Sequence, residues 1–179
     1  MKRRHAARAA LPAVTLRRLE TQLQALPAIL GDTTPEEIDA RPPSGQWSAR
    51  ENLAHIARHH EVMVARLARI LAEKDPLLER YRAEDDPEWP RWSDRSARDV
   101  LRALPRLRAR LVARVRSLSR AQAARVGVHS RMGPMIVERW LEFFLVHEAH
   151  HLYVIFGRLA EARKLPGRSV GPDSARILT

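Results

Sequence analysis

The chain has 179 residues, 45% hydrophobic and 30% charged, with no cysteine and a formal net charge of +11. That is the size of one domain with a real core, and the missing cysteines exclude disulfides, thiolate metal sites and cysteine nucleophiles, so any metal must rest on nitrogen and oxygen. No apolar run approaches the roughly 18 residues of a membrane span, and no apolar block of secretory length follows the basic start because Arg17 and Arg18 interrupt it, which predicts a cytoplasmic protein.

Residues 1–13 read as a basic lead-in. Leu16, Leu19, Leu23, Leu26 and Leu30 recur at three and four, predicting a first helix over 14–30 that Gly31 ends. Residues 32–45 carry Pro35, Pro42, Pro43 and Gly45 and form a connection, with one short turn at PEEID. Ser48, with Glu51 three residues on, makes a capping box and opens a second helix reaching about residue 74. Pro76, Pro87 and Pro90 mark residues 75–92 as a long loop with room for one helical turn. A third helix starts at Ser93 or Asp94 and runs to about residue 118, with a kink expected at Pro105. Gly127 and Gly133 punctuate a loop, and Pro134 suits the first turn of a fourth helix ending near residue 164. Two glycines and two prolines leave residues 165–179 as an irregular tail.

Four helices without a strand pattern of comparable strength predict an all-α fold, a four-helix bundle with long connections over residues 14–164. In a bundle, sites are built from polar side chains that fall on apolar stripes. On the fourth helix the stripe holds Ile136, Trp140, Phe143, Phe144, His147, His151, Val154 and Ile155, so His147 and His151 stack four residues apart inside an apolar run. On the second it holds Asn52, Ile56, His59, Met63, Leu67 and Ile70, with His55 beside it. Two imidazoles on one helix need a partner from a facing helix, and His55 and His59, four apart on one face, are both candidates.

HEAHH matches the HExxH of zinc proteases, with Glu148 in the place of the general base. Those enzymes need a third ligand downstream and a substrate-binding strand. Here no histidine follows His151 and no strand is predicted, so the motif keeps its metal meaning and loses its protease meaning. The positive charge argues little for nucleic acid: arginines are spread along the whole chain, only Lys2, Lys74 and Lys164 are lysine, and no nucleic-acid-binding signature is present.

The segments GQWSARENLAHIARHHE and WLEFFLVHEAHH, separated by a second basic helix and a glycine loop, resemble the DinB/YfiT superfamily of metal-dependent bundle proteins across residues 16–159. The most specific matches are Trp47 and Ser48 ahead of His55, and the closing pair His147 and His151. The resemblance selects His55 over His59 and implies a divalent metal, zinc or nickel, held by His55, His147 and His151. It also implies a thiol S-transferase or hydrolase activity on a small-molecule substrate, with a low-molecular-weight thiol as partner, and a homodimer. Its non-catalytic alternative is a stress-related bundle with a structural metal or none.

Overall fold

The structure is a computed structural model that describes residues 10–164. The expected tail over 165–179 and most of the expected lead-in lie outside the described residues. Four helical segments make the bundle. The first is α1 (Ala13–Thr21), continued through a 3₁₀ turn at Gln22–Ala25 into α2 (Leu26–Leu30). The expected single helix is tightened in its middle because Pro27 has no N–H to give the Leu23 carbonyl; the helix restarts with Pro27 in its first turn. A short α3 (Pro35–Asp39), capped by Thr34, fills the PEEID turn.

The second segment, α4 (Ala49–Ala72), begins at the expected box, with Ser48 accepting from the Glu51 N–H and the Glu51 carboxylate accepting from Ser48. A one-turn α5 (Pro90–Ser93) precedes α6 (Ala97–Arg116), which Ser96 caps a little later than expected and which continues through Pro105. After a short α7 (Arg120–Ala123), α8 (Val137–Ala162) closes the bundle.

Helix directions follow from which residues share a core. One apolar cluster joins Leu19, Met63, Leu67, Leu111, Val115, Trp140 and Phe144; the other joins Leu26, Leu53, Ala57, Val100, Leu104, Ile155 and Leu159. Along the sequence, α1–α2 and α8 run from the first cluster to the second, whereas α4 and α6 run from the second to the first. The long helices α4 and α6, successive members of the bundle, are therefore parallel. The 24 residues of α4 rise about 36 Å, so the chain must travel back along the bundle before α6 can start. Residues 73–96 do this, following α4 in reverse: Leu77 and Glu79 accept from Arg69 and Arg66, Asp86 pairs with Arg58, and the Ser93 carbonyl accepts from Arg50.

Between the two apolar clusters lies a buried polar layer. Arg108 of α6 pairs with Glu148 of α8, Gln22 donates to Glu148 at 2.9 Å, and His60 Nε2 sits 3.7 Å from the same carboxylate.

The sheet was not foreseen. Strands β1 (Leu77–Leu78), β2 (Val126–His129) and β3 (Gly133–Ile136) run in that order, β1 parallel and β3 antiparallel to β2. The expected glycine loop is thus a hairpin, and Pro134 stands in β3 opposite Val128 instead of opening the last helix, which begins at Val137. β3 is an edge strand, where a residue without an N–H is tolerated. Gly133 closes the turn at φ 75°, the left-handed region open to glycine.

Candidate metal centre

α4 and α8 are antiparallel, so the first turns of α4 meet the middle of α8. This brings His55 to His147, 92 residues on in sequence, with their Nε2 atoms 3.2 Å apart. One ring nitrogen from each of His55, His147 and His151 lies within 4.8 Å of the others. Ligands about 2.0–2.1 Å from a tetrahedral zinc sit roughly 3.3 Å from one another, close to the separation of the first pair. At that distance two neutral imidazole nitrogens cannot both present lone pairs unless a proton or a cation lies between them.

The orientation of His151 is set by Asn52. The Asn52 amide nitrogen donates to the Ser48 carbonyl at 2.8 Å, which turns its Oδ1 toward His151 Nδ1, also at 2.8 Å. Nδ1 therefore carries the proton and Nε2 keeps its lone pair, the arrangement by which a hydrogen bond readies a histidine for a metal. His55 Nδ1, in its buried position, has no hydrogen-bond partner among the described residues.

Burial is the main cause that pushes His55 down to about 2, His147 to about 3 and His151 to about 4; the charges of neighbouring histidines add to it. All three are neutral at physiological pH, the state in which imidazole binds metal. The donor set, three imidazole nitrogens with neither sulfur nor carboxylate among them, fits a divalent transition-metal ion.

His59, the other candidate on α4, lies flat against His147, with ring centroids 4.0 Å apart and an interplanar angle of 29°. It stacks on a member of the trio and stands outside the set of converging nitrogens. Glu148 points into the polar layer, where burial raises its pKa against the pull of Arg108. Its carboxylate is taken up by Arg108 and Gln22, about 100° around α8 from His147, so the HExxH reading has no general base at the histidines.

The trio forms part of the wall of a cavity of about 700 Å³, which is also lined by Trp47, His59, Arg66, Tyr81, His129 and Phe143. Residues 73–96 supply its roof. The Tyr81 ring centroid lies 5.5 Å from that of His55 and 5.8 Å from that of His59, and Trp89 stacks on Trp47 beside His55. Tyr81 is held by Asp86, whose carboxylate accepts its hydroxyl at 2.9 Å and both arms of Arg58. The sequence alone did not reveal Arg66, Tyr81 or His129 as site residues; Asn52 was marked only by its place on the apolar stripe of the second helix. A second cavity of about 640 Å³ between α2 and α6 is mostly leucine, proline, alanine and valine, and its Arg108 is engaged by Glu148, so it offers no comparable chemistry.

A helical bundle that gathers three neutral imidazoles at a cavity wall presents a candidate metal centre. The DinB superfamily pattern matches residues 18–155, and the chain belongs to that superfamily. It is similar to an Oceanobacillus iheyensis protein named "Putative metal-dependent hydrolase", 26% identical over 137 residues, covering 73% of this chain and 78% of the relative. Its fold is similar to the solved structure of YfiT from Bacillus subtilis, described as "a probable metal-dependent hydrolase with an unusual four-helix bundle topology". That match has a TM-score of 0.70 at 21% identity and covers 91% of this chain and 93% of that one.

Proposed function

We propose that the protein binds one divalent metal ion, zinc or nickel, through His55, His147 and His151 and uses it in a hydrolytic reaction on a small molecule. The observation that carries this reading is the convergence of three neutral histidine nitrogens within 4.8 Å at the wall of a cavity. A cation held there by neutral ligands keeps its full charge and supplies Lewis acidity, activating water or a thiol and polarising the bond under attack.

The chain's own residues do the rest. Asn52 orients His151, and stacked His59 limits the rotation of His147. Trp47, Tyr81 and Phe143 restrict the approach of bulk water, while Tyr81 gives the cavity an aromatic face fixed by Asp86. The relatives' names favour hydrolysis. S-transfer from a low-molecular-weight thiol is the second reading, favoured by a volume in the upper part of the range for small-molecule sites, which admits a thiol beside an electrophile.

The test uses full-length protein purified without a histidine tag. Stoichiometric zinc or nickel, lost in His147→Ala, is expected, together with ester or amide hydrolysis that chelation abolishes and the same metal restores. Metal-free, stable protein after growth and purification in zinc and nickel would overturn the reading. Turnover only with an added thiol would select S-transfer.

A further inference from the structure

Arg66 is the most unusual charge in the cavity. Its side chain projects from α4 two turns beyond His59, and the residue is only 6% exposed. Among the described residues no carboxylate pairs with it; it donates to the Glu79 carbonyl at 2.7 Å and lies over the Trp140 ring, 5.2 Å from the centroid. The other buried cation of the core, Arg108, has Glu148 as its counter-charge. A guanidinium sequestered without one costs stability, and this one stays where it can meet something that enters the cavity.

His129 stands beside it. It packs on the same Trp140 ring at 5.5 Å between centroids and lines the same cavity. Its Nδ1 accepts the backbone N–H groups of Arg131 and Met132 at 3.0 and 3.3 Å, so the neutral ring carries its proton on Nε2. The Glu79 carbonyl and Trp140 clamp the arginine, and the hairpin turn clamps the histidine. The donors are pre-organised, which lowers the entropy lost when a ligand is bound. Arg66 also reaches the histidine cluster electrostatically: after burial and neighbouring histidines, its charge further depresses the basicity of His59 and His147.

We propose that Arg66 and His129 form an anion subsite in the cavity, which takes a carboxylate carried by the small-molecule substrate and presents the rest of that molecule to the three histidines. One guanidinium and one neutral N–H donor match the single charge and planar oxygens of a carboxylate. The reactants are therefore carboxylate-bearing small molecules. This rests on the cavity being the substrate site, but it needs no metal.

The test titrates sodium acetate, and separately inorganic phosphate, into the metal-free full-length chain labelled with ¹⁵N at histidine. Acetate is expected to shift the His129 Nε2 resonance saturably, with at least a tenfold loss of affinity in Arg66→Met and in His129→Phe, the latter followed by intrinsic tryptophan fluorescence. Arg66→Met is expected to melt no lower than the parent, because it removes an uncompensated buried charge. Should that variant fail to fold, His129→Phe decides.

No saturable acetate effect, or unchanged affinity in the variants, overturns the subsite and leaves Arg66 a packing residue. Phosphate binding as tight as acetate overturns the carboxylate assignment. His147→Ala is expected to keep acetate binding while losing metal, so failure of the subsite and failure of the metal reading are told apart.

Discussion

His55 and His59 differ by one helical turn, yet the structure gives them different tasks. His55 sends a nitrogen toward His147, whereas His59 lies flat against the His147 ring. His55→Ala is therefore expected to abolish stoichiometric metal binding, while His59→Phe, which keeps an aromatic face at the stack, retains it; metal content after dialysis checks both. Asn52 acts through His151. Asn52→Leu removes the acceptor that fixes the tautomer and is expected to weaken metal binding by about 10–100-fold, measured by competition with a chromophoric chelator. The histidine pair was legible because four-residue spacing on an apolar helix is a local signal. Glu148 was not, since a residue about 100° from His147 can lie at either edge of the stripe, and only the position of Arg108 on α6 decides which.

At the scale of elements, the long helices were legible from periodicity and caps, and the Ser48 box placed the start of α4. The hairpin was missed because four-residue strands carry too little alternation to compete with their glycines and proline. Gly127 shows what that segment needs. A Cβ there would stand 2.7 Å from Ile70 Cγ1 and 3.1 Å from Leu78 Cδ1, inside the contact that presses the sheet on α4. Gly127→Ala is expected to cost about 1–3 kcal/mol by overpacking, read from urea unfolding. The roof was illegible for a different reason. Tyr81 and Trp89 reach the site only because α4 and α6 are parallel and the chain must return along α4, a fact of topology that no local pattern in residues 75–92 announces.

At the scale of the whole molecule, the polar layer divides the core and constrains stability. Removing one partner leaves a buried charge alone, so Arg108→Met is expected to cost about 3–5 kcal/mol, with much of it recovered in the double variant Arg108→Met/Glu148→Leu; denaturant melts of the three proteins check this. The buried histidines make a second global prediction. His60, held down to about 3 chiefly by burial and then by Arg108, is neutral in the folded protein but accepts a proton near its ordinary value of 6.5 once unfolded. His55 and His147 behave alike in the metal-free chain. Between pH 6.5 and about 3 the unfolded chain binds more protons, so stability is full above pH 6.5 and falls as pH drops, by up to about 1.4 kcal/mol per pH unit for each histidine held neutral. Urea unfolding of metal-free protein from pH 7.5 to 4.5 is expected to show this decline; a flat profile would contradict it.

The central claim is a cation held by one nitrogen each from His55, His147 and His151. Anomalous diffraction at the zinc and nickel edges, on crystals of the full-length protein grown with each metal in turn, tests it most directly. The account predicts one strong peak about 2.0–2.2 Å from a nitrogen of each of the three histidines, with His59 stacked outside the coordination sphere. No peak at the trio, or a peak that takes His59 or Glu148 in place of one of the three, would contradict it.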